Sequence, residues 1–458
     1  MDVFRKKEMS TNESEPKQLT RCLTAIDLTC LGVGAIIGAG IFVITGVVAA
    51  THTGPAIIFS YLIAGLACFF SALCYAELAT CIGGCGSAYG YAFVGFGEVI
   101  AWIIGWDLLL EYSISIAAVA VGWGSYFNDL LLSMTIHIPN SILQPPTQGG
   151  LINLLPVIII TLLTALSIWG VKSSTRMNNL IVGIKLLIIF LFILVASTHV
   201  DTKNWVPFLP FGWEGVMKGA SLIFFAYIGF DAVSTAAEEV INPQRNLPIG
   251  IVGSLLISTV LYMLVSGLLT GIVSYKTLNV ASPLSQALIM IGYKIVAGII
   301  GVGALAGLTT VILVLFYGLS RIFYAMARDG LLPSYFSVLN QKTKTPVRIL
   351  ILCALIIGST AAFVPITTLA ELVNIGTLVA FTMVCAGVLI LRYSKPTLSQ
   401  SFKVAFFPYV PLMGIICCVY LIAHLPVLTL MRFLVWFAVG MVIYALFSYK
   451  NSLLNKSQ

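Results

Sequence analysis

The chain has 458 residues, of which 59% are hydrophobic and only 9% are charged, and its formal net charge is +7. Soluble domains carry about 25% charged residues, so this composition excludes a water-soluble globular protein. The mean hydropathy of +1.04 leads to the same conclusion. No polar linker divides the chain, which indicates one membrane-embedded domain rather than several soluble domains.

Residues 1–22 are polar and precede an apolar run that is too long for a signal-peptide core and has no A-x-A-like cleavage site after it. We therefore predict that they remain as a cytoplasmic tail. Apolar runs of membrane-spanning length follow along the rest of the chain. They lie near residues 24–50, 55–79, 88–128, 151–170, 179–198, 215–237, 249–274, 293–327, 347–364, 370–392, 405–425 and 430–449. The runs 88–128 and 293–327 exceed the bilayer thickness, so we expect them to tilt or to continue as helix beyond the membrane.

The basic residues predict the orientation of these spans. With the N-terminus inside, about 18 of the 24 Lys and Arg residues fall on the cytoplasmic side and about five fall outside. The remaining one, Lys185, lies deep within a predicted span. The positive net charge is therefore an orientation signal and not a footprint for nucleic acid, and both termini are predicted to be cytoplasmic.

Cysteine and histidine suggest no metal centre. None of the ten cysteines falls in a predicted external loop, so a disulfide framework is not expected. Cys81 and Cys85 lie close together, but two thiolates without a third ligand make a poor zinc site. Because no phosphate-binding loop or serine triad accompanies the spans, we predict neither a resident cofactor nor an enzymatic activity.

Two of the predicted spans are interrupted by glycine. The first contains four glycines in GVGAIIGAGIF (32–42), and the sixth contains Gly229 in FFAYIGFDAVST (224–235). Paired interruptions five helices apart are typical of inverted-repeat transporters, in which unwound backbone exposes N–H groups and carbonyls to a substrate. The alternative is that the glycines only allow close helix packing, since Gly34 and Gly38 have GxxxG spacing.

At this point the sequence resembles a known family. The segments GVGAIIGAGIFV, FFAYIGFDAVSTAAEEVINPQRNLPIGI, LFYGLSRIFYAMARDGLLP and GGCGSAYGYA resemble the amino acid–polyamine–organocation transporters, and most closely bacterial members similar to cationic amino acid transporters. The resemblance implies an all-α, LeuT-like fold of about twelve helices with the first and sixth discontinuous. The implied core is 23–392, with inverted repeats 23–200 and 212–392, followed by two accessory helices at 404–450 and a cytoplasmic tail at 451–458.

The resemblance also implies a substrate site. The backbone N–H groups of the first break would bind a substrate carboxylate, and carbonyls of the sixth helix would accept hydrogen bonds from its amino group. Phe225 would be an aromatic gate over the substrate, although plain core packing is the alternative for this side chain. The residues implied are Ile37, Gly38, Ala39 and Gly40 in the first break and Phe225, Ala226 and Ile228 in the sixth helix.

Charged residues within spans are costly, so each one is a functional candidate. Lys185 is flanked by apolar residues on both sides, and desolvation disfavours its ammonium. The resemblance places this lysine where sodium-driven relatives bind an ion. In those relatives hydroxyls of the eighth span help to hold the ion, and the corresponding residues here are Thr309 and Thr310. Lys185 is expected either to carry the coupling proton or to be a permanently charged pin on carbonyls of the first helix.

Three acids complete the candidate set. Glu111 and Asp107 lie one turn apart on one face of the third span, where each disfavours the other's charge. Glu111 resembles a helix 3 glutamate of cationic transporters, with a role in proton coupling or in attracting a cationic side chain. The alternative is a neutral carboxyl group in a helix interface. Asp231 resembles an acid that links the sixth helix to its neighbours during gating.

The resulting expectation is proton-coupled uptake of cationic or small neutral L-amino acids across the plasma or inner membrane by alternating access. The expected partners are the amino acid, a coupling ion (a proton or sodium) and membrane lipid. Amino acid exchange, sodium symport, a channel and a transporter-like nutrient sensor stay open as alternatives.

Overall fold

The structure is a computed structural model that describes residues 23–82, 87–169, 175–280, 282–340, 343, 345–394 and 402–456. The predicted N-terminal tail, Cys85 and the last two residues of the predicted C-terminal tail lie outside these residues. Within them the secondary structure is helical, with two isolated β-bridges. The helices of the first half are α1 (Ala25–Ile36), α2 (Thr45–Val48), α3 (Ile57–Ile82), α4 (Ser87–Gly95), α5 (Glu98–Ser133), α6 (Leu154–Ile168), α7 (Thr175–Ser197), α8 (Gly212–Ile223) and α9 (Ala232–Thr235).

The second half begins at Pro243, where proline suits a first helical position because its missing N–H would have no intrahelical partner. The helix therefore starts several residues before the predicted 249. Its helices are α10 (Pro243–Ile272), α11 (Pro283–Met290), α12 (Lys294–Arg328), α13 (Val347–Phe363), α14 (Ile366–Ser394), α15 (Tyr409–Ala423), α16 (Val427–Ile443), α17 (Tyr449–Asn451) and α18 (Leu453–Lys456).

The membrane character predicted from composition is confirmed. Among the described residues, eight helical stretches are long and apolar enough to cross a membrane, and three shorter apolar helices accompany them. The first of the eight, Ala25–Cys81, holds two crossings, because the chain turns at Gly54, whose φ is +62°. These stretches correspond in order to the twelve predicted spans. The inverted-repeat relation between the two halves stays a prediction.

One predicted span is divided. The run 88–128 is two helices, α4 and α5, separated at Gly97, whose φ of +103° favours glycine. The 36 residues of α5 and the 35 of α12 would each extend about 50 Å at about 1.5 Å per residue, which exceeds a hydrocarbon core of about 30 Å. Both long helices therefore continue past the bilayer, as expected for 293–327.

Long helices at the centre of the bundle position the site. α5 packs along α12 and α14, and α10 packs along α1 and α3. Both described chain ends, Leu23 and Lys456, lie at one end of the bundle, which we call the termini end. The opposite end carries the turn at Gly54 between the first two spans and the short helix α11.

Candidate functional site

The first helix is broken where the sequence predicts. α1 ends at Ile36, and Ile37 adopts an extended conformation with ψ of 96° before a π-helical turn starts at Gly40. The N–H of Ile37 donates to the Val33 carbonyl at 2.9 Å, so this N–H still belongs to α1, the first half of the broken helix. Gly38, Ala39 and Gly40 lie at the start of the second half, where helical N–H groups have no intrahelical partner and favour an anion.

The sixth span, which comprises α8 and α9 and is called the sixth helix here, is broken over Phe224–Asp231. A 3₁₀ turn over Phe224–Tyr227 follows α8, Ile228 is extended, and Gly229 has a φ of +122°. A Cβ on Gly229 would lie 2.9 Å from atoms of Ala35, so both its conformation and its close packing require glycine. Gly229 therefore takes part in the helix break as well as in close packing, so packing is not its only role.

The two breaks face each other. A Cβ on Gly40 would overlap the Ala226 side chain, so backbone meets backbone at this point. Beside the contact lies a cavity of about 20 Å³, enough for about one water molecule. Its polar side is formed by break residues and by the hydroxyl-bearing Ser115, and its apolar wall by three aliphatic side chains from α5 and α12. The lining includes Gly38, Ala39, Gly40, Ser115, Val119, Phe225, Ile228, Val311 and Leu315.

Sequence reasoning missed Tyr262. Its hydroxyl lies 2.8 Å from the Ile36 carbonyl and 2.7 Å from the Ala226 carbonyl, so one side chain of α10 bridges both breaks. Its ring packs with the rings of Tyr61 and Tyr227, at centroid distances of 5.1 and 5.4 Å. Because a tyrosine hydroxyl has one proton, it can donate fully to only one of these two carbonyls at a time. The available signal was a tyrosine within an otherwise apolar span, which composition alone does not distinguish from core.

Lys185 reaches the first break from α7. Its side chain is 1% exposed, and Nζ donates to the carbonyls of Gly34 at 2.8 Å and Ile37 at 3.3 Å. Gly307 of α12 leaves room for the lysine stem, since a Cβ there would lie 3.1 Å from Lys185 Cε. The ammonium therefore occupies the mouth of an unwound helix end, where carbonyls favour a cation.

The two threonines predicted beside Lys185 use their hydroxyls elsewhere. Thr309 accepts from Trp123 Nε1 at 3.0 Å and donates to the Leu305 carbonyl at 2.8 Å. Thr310 donates to the Gly307 carbonyl at 2.8 Å. The structure thus brings α12 against Lys185 without a direct bond from either hydroxyl.

The acids of α5 have a different environment. Glu111 and Asp107 are 1% and 4% exposed, and none of their four carboxylate oxygens has a hydrogen-bond partner among the described residues. The nearby Thr377 hydroxyl donates instead to the Val373 carbonyl at 3.0 Å. Glu111 lies one turn from Ser115, on the side of the cavity toward the start of α5.

Asp231, unlike Asp107 and Glu111, accepts hydrogen bonds from described residues. It accepts from the Tyr112 hydroxyl at 2.9 Å and from the Gly229 N–H at 3.2 Å. It thereby ties the second half of the broken sixth helix to α5.

Acids at the termini end are held by donors. Glu77 forms an ion pair with Arg392 at 2.5 Å, and Asp329 accepts from the Tyr89 hydroxyl at 2.8 Å. Glu98 accepts from Tyr444 and Ser452. At the opposite end, Glu371 accepts from the Thr429 hydroxyl at 2.7 Å. Sequence alone assigned no role to Glu98 or Glu371, because their partners lie far away in the chain.

Sequence comparison finds relatives among known transport proteins. The sequence model described as amino acid permease matches residues 23–449. A methylthioribose transporter of Bacillus subtilis is 49% identical over 99% of both chains, and a branched-chain amino acid permease of the same organism is 45% identical over 99% of both. A vacuolar cationic amino acid transporter of Arabidopsis thaliana is 39% identical over 83% of this chain and 65% of its own length.

Proposed function

The chain belongs to the amino acid permease family, and from this premise we propose that it is a secondary transporter that moves amino acids by alternating access. The single observation that carries the proposal is the pair of broken helices in direct contact beside a cavity of about 20 Å³. A cavity of this size cannot hold an amino acid, so binding requires the walls around the two breaks to separate. That requirement suits a carrier that alternates between closed and open states rather than a permanently open channel.

Recognition of the substrate backbone would use the breaks themselves. The N–H groups of Gly38, Ala39 and Gly40 suit a carboxylate, because they begin a half-helix and carry the positive end of its dipole. The carbonyls of Phe225, Ala226 and Ile228 suit an ammonium. These groups read what all amino acids share, so they set the class of substrate and not its side chain.

Side-chain selection would fall to the apolar wall of Val119, Val311 and Leu315, with Ser115 and Glu111 toward the start of α5. An aliphatic wall suits a neutral side chain, whereas Glu111 suits a cationic one. The named relatives divide in the same way between branched-chain and cationic substrates. We therefore keep both classes, neutral and cationic L-amino acids, within the proposal.

Methylthioribose is a second candidate substrate, favoured by the 49% identical relative that carries that name. It has neither the carboxylate nor the ammonium that the breaks suit. Competition between methylthioribose and an amino acid would therefore separate recognition by the breaks from recognition by the wall.

Coupling to protons would depend on Lys185 and Glu111. The family resemblance implies that the Lys185 ammonium would replace the ion of sodium-driven carriers. A lysine that releases its proton would free the Gly34 and Ile37 carbonyls. Asp231 would transmit the change in protonation between α5 and the sixth helix. Thr309 and Thr310 would complete the coupling-ion site when the helices move. Sodium symport and exchange are the competing modes. The termini end would face the cytoplasm, as the basic residues predict.

A ligand screen by thermal shift tests the substrate class. The purified protein is heated with each of the twenty amino acids and with methylthioribose, and a true ligand raises the melting temperature in proportion to RT ln(1 + [L]/Kd). We expect stabilisation by one group of amino acids and its loss in Gly40→Val, which fills the contact between the breaks. Stabilisation by methylthioribose alone would overturn the amino acid proposal.

A further inference from the structure

The last residues of the described chain fold back onto the helix that supports the cavity. We call residues 444–456 the C-terminal segment. Ser452 donates to one carboxylate oxygen of Glu98 at 2.6 Å, and Tyr444 donates to the other at 3.0 Å. Glu98 and Ser452 are 1% and 0% exposed. The first residue of α5 is therefore held by two hydroxyls from the far end of the chain.

The same segment also holds the end of α12. Ser448 donates to the Leu331 carbonyl at 2.6 Å, and the Leu453 N–H donates to the Asp329 carbonyl at 3.2 Å. Between these bonds lies Gly330, with a φ of +80°, where a Cβ would overlap the Asn451 carbonyl. The C-terminal segment thus contacts the chain immediately after α12 through backbone as well as side chains.

Tryptophans fix how α16 lies against α5, and so where the C-terminal segment begins. Trp106 Nε1 donates to the Trp436 carbonyl at 3.0 Å, and Trp436 Nε1 donates to the Trp106 carbonyl at 3.3 Å. Their rings stack at a centroid distance of 4.4 Å, and Trp102 Nε1 donates to the Gly440 carbonyl at 3.0 Å. These reciprocal bonds set the register of α16 along α5.

The two helix ends joined in this way belong to the two helices that form the cavity wall. α5 carries Ser115 and Val119, and α12 carries Val311 and Leu315. Glu98 lies about 25 Å from Ser115 along α5, at about 1.5 Å per residue. Because α5 and α12 are each uninterrupted from the termini end to the cavity, a change of spacing between their ends would also change the spacing of the wall.

We propose that Glu98 is a positioning residue for transport: through Ser452 and Tyr444 it fixes the spacing of α5 and α12, and with it the width of the substrate cavity. This inference rests on the proposed function only in taking that cavity as the substrate site. A buried carboxylate is a costly way to pack two elements, since an apolar pair of similar volume is often as stable. Its use here specifies one arrangement of the C-terminal segment, because both oxygens need donors in fixed positions.

The test compares two hydroxyl-to-carboxylate bonds of the same accessory region. Ser452→Ala removes a donor to Glu98, and Thr429→Ala removes a donor of similar length to Glu371, which lies on α14 at the opposite end. Both hydroxyl-bearing residues are fully buried, so both variants should lower the melting temperature to a similar degree. Ser452→Thr keeps the hydroxyl and serves as the rescue.

Two readouts separate positioning from simple support. In proteoliposomes, Ser452→Ala should raise the KM for the transported amino acid by about fivefold with a smaller change in maximal rate, while Thr429→Ala leaves KM unchanged and Ser452→Thr restores it. Amide hydrogen exchange should quicken in Ser452→Ala at residues 98–101 and 329–332, without substrate, and not in Thr429→Ala.

Equal KM values in the two alanine variants, or unchanged exchange at 329–332 in Ser452→Ala, would overturn the positioning role. A wild-type protein that takes up no amino acid would instead overturn the proposed function, and the exchange measurement would still decide whether the C-terminal segment joins α5 to α12.

Discussion

Two groups of buried acids differ in whether their carboxylate oxygens have hydrogen-bond or ion-pair partners. At the termini end, Glu77, Glu98 and Asp329 each receive a hydrogen bond or an ion pair from a named donor. In the middle of α5, Asp107 and Glu111 are equally buried, yet their oxygens find no donor among the described residues. The same residue types therefore have opposite environments within one bundle.

We propose that buried acids with donors fix the arrangement of the bundle, as Glu98 does for α5 and α12, and that buried acids without donors take part directly in transport. A buried carboxylate with donors is a fixed structural element, and its loss leaves those donors unpaired. A buried carboxylate without donors destabilises the closed state unless it takes up a proton or a cation. We therefore propose that Asp107 and Glu111 respond to a ligand or a proton.

Removing a structural acid should have the largest effect on folding. Glu77→Ala leaves the Arg392 side chain, which is only 15% exposed, without its carboxylate partner. It also removes the acceptor of the Val404 N–H, at 2.7 Å. We expect a loss of about 3–5 kcal/mol of stability, seen as low yield and an early melting transition. The double variant Glu77→Gln/Arg392→Gln should recover part of the loss. A stable Glu77→Ala protein would contradict the assignment.

Removing a mid-membrane acid should have little effect on stability and a large effect on uptake. Glu111→Gln is expected to keep or raise the melting temperature by an amount equivalent to about 1 kcal/mol, since no donor is lost and a carboxylate need no longer be buried. Uptake driven by a pH gradient should fall about tenfold or more, while exchange of labelled for unlabelled amino acid continues. A folding defect like that of Glu77→Ala would remove the distinction between the two groups.

Asp107→Asn sharpens the comparison within the mid-membrane group. Asp107 lies one turn farther from the cavity than Glu111, so we expect the same unchanged stability but a loss of driven uptake of only about threefold. Melting curves and initial uptake rates measured beside Glu111→Gln give the ranking. An effect larger than that of Glu111→Gln would make Asp107 the principal coupling acid.

Much of this arrangement could be predicted from the sequence, because hydropathy locates spans and glycine marks unwound backbone. The breaks at Ile37 and Gly229 and the burial of Lys185 follow from local residues and their neighbours. The division at Gly97 could not be predicted, since α4 and α5 are both apolar and one glycine within a long apolar run does not by itself indicate a helix end. Tyr262 and the Glu98–Ser452 bond depend on packing between segments far apart in sequence, which local patterns do not contain.

The most direct test of the proposed transport is accumulation of a labelled amino acid by the wild-type protein in proteoliposomes with an imposed pH gradient, beside Lys185→Ala. The amino acid is taken from the thermal-shift screen. We predict accumulation above the external concentration only when the outside is more acidic, without sodium, and none in Lys185→Ala. Accumulation that requires sodium and is unchanged by the pH gradient would contradict the account.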